Sequence, residues 1–477
     1  MLKLFKDKLF WKSALTLAIP VALQNMLTSS FTLADTLLVS QLGDVALSSV
    51  GMVGQWGWLM TMVIFGFCSG TTVFVSQFWG ANDKKRIHRT CGIALACVLV
   101  VSGIFTAVSL IIPQYVLRMF NSDPAIISEG SKYLSVVAYS YFAVAITNVL
   151  STVLRSTEEV RLPMYVSGFT TVLNIVLDYC MIFGKFGFSE MGIKGAALAT
   201  SISAWAGVTV IVVVSVIRKT IIIAPFKEMF CFKKAEIKEF FKRTTPVVFN
   251  EGMWGAGTFV FNLIYANMGY EYFASVTILR SFENIAFVFF VGLCNACSVM
   301  VGKSIGKGKI KDGVTDSKRF AFLVPFLAIF VSVIIITFRY QLVGIFNMGN
   351  NISEVTLNSA VIIMTIYACE LPIRMIPYIQ IVGIFRSGGD TVTGVKYDLS
   401  CLWLISLPAT LIAVHLIKVP FVVAFGVMYV FEDYFKTFLC LRHYRSKKWL
   451  KPVTKEGRKA LKNYKTEFIN VKTGDEK

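Results

Sequence analysis

The chain has few charged residues. Only 16% of its 477 residues are charged, 55% are hydrophobic, and the mean hydropathy is +0.66. A water-soluble domain of ordinary composition has charges at about 25% of its positions. This balance therefore excludes an ordinary globular protein and indicates a chain that folds in a lipid bilayer. A spanning helix needs about 20 apolar residues, so the length allows about a dozen such helices and no separate soluble domain.

Histidine is scarce, and the cysteines show no framework for disulfides or metals. The three histidines, His88, His415 and His443, lack the spacing of a metal site. Most of the ten cysteines lie inside apolar segments, where cysteine packs as a small hydrophobic residue. Cys294 and Cys297 form a CxxC, but no second pair accompanies it, so packing is the favoured interpretation. We therefore expect no catalytic metal and no organic cofactor.

Acidic residues are also outnumbered, 28 against 47 basic ones, which gives a formal charge of +19. The basic residues occur between apolar segments rather than on one face, which argues against a nucleic-acid partner. The apolar stretches predict an all-α integral membrane protein with twelve transmembrane helices, near 13–39, 46–75, 91–112, 131–154, 162–183, 191–217, 246–268, 275–301, 320–338, 355–385, 391–415 and 419–441.

The distribution of Lys and Arg predicts the topology. Basic residues crowd the N-terminus, the even-numbered connections and the C-terminal tail, whereas the odd-numbered connections carry far fewer. Cytoplasmic loops of membrane proteins carry an excess of Lys and Arg. Both termini are therefore expected in the cytoplasm, with the chain crossing the cell membrane an even number of times.

Two halves of the sequence repeat one another. Single residues recur 226 positions apart, among them Pro20 and Pro246, Gly43 and Gly269, Gly66 and Gly292, and Gly80 and Gly306. Arg155 and Arg386 recur at a spacing of 231. The repeat predicts two pseudo-symmetric six-helix bundles, which favours a transporter over a channel. The predicted domains are a bundle at 1–217, a cytoplasmic interfacial linker at 218–245, a bundle at 246–441 and a basic cytoplasmic tail at 442–477.

Acids inside membrane helices are candidates for function, because a charge in hydrocarbon is costly. Asp35 in helix 1 and Asp178 in helix 5 lie at similar predicted depth. Asn174 is one helical turn from Asp178, and Thr200 in helix 6 is close in depth. Carboxylates that share a pocket with amide and hydroxyl oxygens gain affinity for a proton or for Na⁺. Alternatively, Asp178 and Asn174 only cap or cross-link helices.

The second half offers weaker candidates. Glu283 follows Arg280 by one turn and Glu370 precedes Arg374 by one turn, which predicts two intrahelical ion pairs. Aromatic faces within helices can hold organic cations, although packing against lipid is the alternative. The candidate substrate-binding residues are Glu251, Trp254, Glu283, Tyr367, Glu370 and Tyr139.

Five segments together resemble the multidrug and toxic compound extrusion (MATE) family: ADTLLVSQLG (34–43), VSQFWGANDKKRIHRT (75–90), LNIVLDYCMIFG (173–184), MGIKGAALATSIS (191–203) and FRSGGDT (385–391). The resemblance implies two six-helix lobes that export organic, often cationic compounds in exchange for H⁺ or Na⁺. It also implies that Asp35, Asn174, Asp178 and Thr200 serve the coupling cation. Na⁺, if it is the coupling ion, is expected at Asp35, Asn174 and Asp178.

The chain departs from a family subgroup that has a cation site in the C-terminal lobe. Trp254 stands where that subgroup has a glutamate in helix 7, and helix 10 lacks its aspartate. The repeat also places Ile405 and Ala409 where the first half has Asn174 and Asp178. Ion coupling at these positions is therefore expected in the N-terminal bundle only.

The predicted function is secondary active antiport: export of small, drug-like organic molecules against H⁺ or Na⁺ by alternating access, by a monomer in the bilayer. A flippase for lipid-linked oligosaccharides is the alternative, but its cavity should be lined with Arg to bind a pyrophosphate. A membrane-embedded enzyme is a further alternative. The SGGD at 387–390 resembles half of an intramembrane aspartyl-protease motif, although Asp390 is expected to cap helix 11.

Overall fold

A computed structural model of the protein describes residues 6–120, 122–346 and 352–474. Within these ranges the regular structure is helical, and the one β-type pairing is an isolated antiparallel bridge between Gly389 and Leu450. Lys3 and the last three residues of the predicted tail lie outside the described residues. The all-α prediction is confirmed.

Eight helices make up the first half. They are α1 (Lys8–Ser40), α2 (Asp44–Gly80), α3 (Lys84–Ile111), the short α4 (Pro113–Arg118), α5 (Pro124–Val137), α6 (Ser140–Ser156), α7 (Arg161–Phe183) and α8 (Ile193–Arg218). Helices α5 and α6 meet at a bend of 51° and together form one broken span. The sequence predicted a single uninterrupted helix there.

The second half also has eight helices. They are the short α9 (Phe226–Phe230), α10 (Lys234–Met268), α11 (Tyr270–Gly306), α12 (Ile310–Ile345), α13 (Glu354–Gly388), α14 (Thr391–Ile417), α15 (Phe421–Tyr429, Val430–Tyr434 and Phe435–Arg445 in continuous succession) and α16 (Lys455–Gly474). Helices α13, α14 and α15 contain π-helical stretches, which frequently occur at functional sites.

With α5 and α6 counted as one, and without the short α4 and α9 and the tail helix α16, twelve helical segments of the described residues correspond to the twelve predicted spans. In the described residues, nine helices are long and apolar enough to cross a membrane, and the bent pair α5 and α6 makes a tenth. Helices α10 and α15 complete the set, although both carry charged residues. Because α10 begins at Lys234, it also includes the second part of the predicted linker.

The sequence repeat is also a repeat of helices. Helices α2 and α11 each have 37 residues and begin at 44 and 270, a difference of 226. Helices α3 and α12 begin at 84 and 310, which again differ by 226. Both halves therefore build their second and third spans in the same register.

The chain folds into two compact units. The N-terminal unit consists of Ile19–Val75 and Asp83–Val248, and the C-terminal unit consists of Met1–Ala18, Ser76–Asn82 and Phe249–Lys477. In the N-terminal unit, α9 lies on α3, where His88 Nδ1 is 2.9 Å from Glu228 Oε1. In the C-terminal unit, the ends of α2 and α11 approach so closely that a Cβ on Gly80 would overlap the carbonyl oxygen of Lys303.

Candidate functional site

The predicted coupling residues all lie in the N-terminal unit. Asp35 is on α1, Asn174 and Asp178 are on α7, and Thr200 is on α8. Asn174 and Asp178 are one helical turn apart on the same face of α7, and both are completely buried. The one-turn spacing predicted from the sequence therefore directs an amide and a carboxyl group to the same side of α7.

A hydrogen bond and an electrostatic interaction relate these four residues. The side-chain amide of Asn174 donates to Thr200 Oγ1 at 3.5 Å, which joins α7 to α8. Asp35 and Asp178 are close enough to interact electrostatically. The arrangement brings two carboxyl groups, an amide and a hydroxyl into one polar cluster inside apolar helices.

Most acceptor atoms of this cluster have no hydrogen bond from the described residues. This is the case for both carboxylate oxygens of Asp178, for Asp35 Oδ1 and for Asn174 Oδ1. Burying a carboxylate without hydrogen bonds is strongly unfavourable, so such a group takes up a proton or pairs with a cation. A purely structural role explains the amide of Asn174, but it does not explain the two oxygens of Asp178.

Sequence reasoning missed Tyr133, a fifth member of the cluster. Tyr133 is buried on α5, interacts electrostatically with Asp35 and Asp178, and forms a side-chain hydrogen bond with Thr200. A hydroxyl group beside two carboxyl groups can donate a hydrogen bond or pass on a proton. No clear signal in the sequence pointed to Tyr133, because the charged residues Glu129 and Lys132 lie close to it on α5.

The substrate candidates with aromatic rings lie at the bend between α5 and α6, on α10 and on α13. Tyr139 sits at the bend between α5 and α6, its side chain is 57% exposed, and its carbonyl accepts a hydrogen bond from Trp205. Trp254 is part-buried on α10, in the C-terminal unit. Tyr367 is buried on α13 with its ring centroid 6.2 Å from that of Tyr429.

The two predicted intrahelical ion pairs are wrong. Arg374 on α13 pairs with Glu283 on α11, with 3.5 Å between Nη2 and Oε1. The same guanidinium lies over the ring of Tyr429, 5.1 Å from its centroid. Glu370 instead accepts a hydrogen bond from the Tyr434 hydroxyl at 3.4 Å. The side chain of Arg374 turns away from its own helix because an acid and an aromatic face on neighbouring helices both attract it.

Two arginines at equivalent places in the halves have different partners. Arg386 Nη2 is 2.8 Å from Glu251 Oε1, a largely buried ion pair. Arg155 donates to Gln24 Oε1 and to Thr152 Oγ1, both at 3.1 Å and both neutral. The candidate Glu251 is thus held by a cation of its own unit.

A second charged cluster, not predicted from the sequence, lies in the C-terminal unit. The ammonium group of Lys436 contacts Asp398, Glu432 and Asp433. These four residues fall inside the predicted eleventh and twelfth helices, where the acids were not considered. The signal was the spacing of Glu432 and Lys436, four residues apart in an otherwise apolar segment.

Comparison with known proteins places the chain in a family. The MatE family model matches residues 20–180 and 246–412, two ranges that begin 226 positions apart. The probable multidrug resistance protein NorM of Thermotoga maritima is 28% identical over 92% of this chain and 93% of its own length. An uncharacterized transporter of Bacillus subtilis, YisQ, is 25% identical over 93% of this chain and 96% of its own length.

Solved structures share the fold. A crystal structure of MATE in the bent conformation superposes with a TM-score of 0.82 at 17% identity and covers 98% of both chains. A MOP superfamily transporter from Pyrococcus furiosus gives 0.81 at 18% identity, over 91% of this chain and 95% of its own. These findings confirm the resemblance and rule out the membrane-embedded enzyme. The chain belongs to the MATE family and is a membrane transporter.

Proposed function

We propose that this transporter exports small, drug-like organic molecules, preferentially cations, from the cytoplasm in exchange for H⁺ or Na⁺. The protein acts as a monomer in the cell membrane with both termini in the cytoplasm, and it works by alternating access. The names of the relatives support drug export, since the Thermotoga maritima protein is called a probable multidrug resistance protein. The family match favours this function over a flippase for lipid-linked sugars.

One observation carries the exchange mechanism: Asp178 is fully buried, and neither of its carboxylate oxygens has a hydrogen bond from the described residues. Such a carboxyl group is stable when it is protonated or when a cation is bound. Asp35 interacts electrostatically with Asp178, so one bound cation or proton can reduce the repulsion between the two acids. Binding of a cationic substrate and binding of H⁺ or Na⁺ then exclude one another.

The ion gradient supplies the driving force. One-for-one exchange of monovalent cations moves no net charge, so the concentration gradient of the coupling ion alone drives it. A tenfold gradient supplies about 1.4 kcal/mol and allows an organic cation to be concentrated outside by about tenfold. In this scheme Asn174, Thr200 and Tyr133 position the two acids and supply neutral oxygen ligands or a proton path.

Flux in proteoliposomes tests the proposal. Asp35→Asn and Asp178→Asn keep the side-chain shape but remove the exchangeable charge, so each should reduce gradient-driven export by at least about tenfold. Asp44→Asn, at an exposed acid in the first turn of α2, is the matched control and should export normally. pH and Na⁺ gradients applied separately identify the coupling ion. Unchanged export in both aspartate variants contradicts the assignment.

A further inference from the structure

The C-terminal unit holds an ion cluster that the proposed exchange does not use. We define the Lys436 cage as Lys436 together with Asp398, Glu432 and Asp433. The ammonium nitrogen of Lys436 lies 2.8 Å from Glu432 Oε1, 3.1 Å from Asp398 Oδ1 and 3.5 Å from Asp433 Oδ1. The Lys436 side chain is only 9% exposed. A lysine ammonium carries three N–H donors, and here it meets three carboxylates.

The cage is built by the helices that supply its members. Glu432, Asp433 and Lys436 lie on α15, where spacings of three and four residues bring the two acids to the side of the lysine. Asp398 comes from α14, just before the π-helical stretch Ser400–Ser406. Its second oxygen accepts a hydrogen bond at 3.0 Å from Asn250 on α10. Three helices thus fix the oxygens around one nitrogen.

The ammonium offsets one of the three carboxylate charges of the cage, and without it no cation would lie inside the cage. Three carboxylates face each other, and Asp433 is 1% exposed with no hydrogen bond to its Oδ1 from the described residues. Arg374 interacts electrostatically with Asp433, and Arg386 interacts electrostatically with Asp398, both without direct contact. Each of these arginines, however, forms an ion pair with a glutamate. Lys436 is therefore the cation that directly contacts all three acids.

We propose that Lys436 is a tethered cation: its ammonium group takes, on a covalent stem, the position that a free monovalent cation would occupy among Asp398, Glu432 and Asp433. A tethered cation cannot leave, so it holds this position without an ion from solution. The inference stands on the cage geometry and does not depend on the substrate or on the coupling ion.

Removing the tether should create a site for a free cation. Lys436→Ala deletes three methylene groups and the ammonium, which together have the composition of n-propylammonium. We expect the melting temperature of purified Lys436→Ala protein to rise by roughly 3 °C or more when n-propylammonium or K⁺ replaces the bulky N-methylglucamine cation at constant ionic strength. The wild-type protein should melt at the same temperature in all three salts.

Two control variants separate the cage from a general salt effect. Lys436→Met fills the volume of the stem without a charge, so it should gain no stability from either small cation. Adding Asp398→Asn to Lys436→Ala removes one carboxylate of the cage and should reduce the gain. The proposal is overturned if Lys436→Ala melts equally in all three salts or is recovered folded in none of them. An equal gain in the wild type or in Lys436→Met also overturns it. Because the readout is stability, these outcomes leave the exchange at Asp35 and Asp178 untouched.

Discussion

Arg374 shows how single residues cooperate across helices in this protein. It extends from α13 to Glu283 on α11 and covers the ring of Tyr429 on α15. We expect Glu283→Gln to lower the free energy of unfolding in detergent by about 1–3 kcal/mol, because the partly buried guanidinium loses its counter-charge. Combining it with Arg374→Gln should restore part of the loss, with a coupling energy of at least about 1 kcal/mol.

The control for this pair is Glu370, which contacts Tyr434 instead. Glu370→Gln combined with Arg374→Gln should be additive within about 0.5 kcal/mol. A double-mutant cycle measured by thermal melting distinguishes the two arrangements. Stronger coupling of Arg374 to Glu370 than to Glu283 would contradict the arrangement across helices.

Asp390 is a second residue whose charge the fold stabilises. It lies between the spans α13 and α14, caps α14 by accepting from the Thr393 N–H, and contacts His443 and Lys451 at 2.9 Å each. Burial alone raises the pKa of Asp390, but the hydrogen bonds from His443 and Lys451 outweigh it and lower the pKa to about 2. Since this lies below the ordinary value near 4, the fold favours the ionised form.

The contribution of Asp390 to stability should therefore be present above about pH 4 and disappear as the pH falls towards 2. At pH 7 we expect Asp390→Asn to lower the free energy of unfolding by about 2 kcal/mol. Melting curves of the wild type and the variant between pH 3 and pH 7 test this, with Asp44→Asn as an exposed control. A difference that stays constant over this range would refute the linkage.

The sequence predicted which polar residues share a helix face, but sharing a face did not predict which partners they contact. Asn174 and Asp178 follow from a four-residue spacing, and Asp390 follows from the rules of helix capping. The pairs Glu283–Arg374 and Lys436–Asp398 depend on how helices are rotated against their neighbours. Hydrophobicity gives no such rotation in a helix that is apolar on all sides.

At the scale of elements, the backbones of α2 and α11 cross in very close contact within the C-terminal unit. The two sides of this crossing are equivalent positions of the sequence repeat. A Cβ on Gly80 would overlap the carbonyl oxygen of Lys303, and a Cβ on Gly306 would overlap that of Gln77. These contacts are equivalent, because 303 and 77 differ by 226, as do 306 and 80. Glycine lets the two backbones approach each other in the way that small residues do between membrane helices.

We expect Gly80→Ala and Gly306→Ala each to lower stability by roughly 1–3 kcal/mol, because backbone must move to admit the methyl group. Gly344→Ala in α12 is the matched control, since nothing lies within 4 Å of its Cβ position. That substitution should be neutral or slightly stabilising, given the better helix propensity of alanine. Melting temperatures of the three variants in detergent decide the matter. Equal effects at all three glycines would contradict the role of the crossing.

The existence of the helices was predictable, but their irregularities were not. Each of the twelve apolar stretches is helical, because a segment that spans a membrane must satisfy its backbone hydrogen bonds internally. The bend between α5 and α6 and the π-helical stretches of α13 to α15 change the rotation of a helix without changing its composition. Hydropathy does not report such changes, which is why the contact between Asp398 and Lys436 could not be derived from the sequence.

At the scale of the whole molecule, the repeat explains why two halves of low mutual similarity share one plan. The family model matches each half separately, and helices α2 and α3 recur as α11 and α12 in the same register. The halves have diverged in their charges, however. The part-buried Arg155 has neutral partners where Arg386 has Glu251, and the Lys436 cage belongs to the second half alone. The two halves therefore share a plan of helices but differ in the charged residues that they bury.

The segment after α15 ties the C-terminal unit together. Trp449 is completely buried, and Lys451, Val453 and Thr454 after it form hydrogen bonds to the rest of the unit. The Lys451 N–H donates to the Gly388 carbonyl at 2.8 Å, the Val453 N–H donates to Gln77 Oε1 at 2.8 Å, and the Thr454 hydroxyl donates to the Gly306 carbonyl at 2.9 Å. The first part of the basic tail predicted from the sequence is thus folded onto the ends of α2, α11 and α13.

We therefore expect a chain that ends at Ser446 to be markedly less stable than the full chain. It loses the buried indole of Trp449 and the hydrogen bonds to Gly388, Gln77 and Gly306. Trp449→Ala alone should cost about 3–5 kcal/mol, the usual range for removing a buried Trp. A chain that ends at Lys465 keeps all three hydrogen bonds and serves as the control. Thermal melting in detergent is the measurement. An unchanged melting temperature in Trp449→Ala would show that the segment does not stabilise the unit.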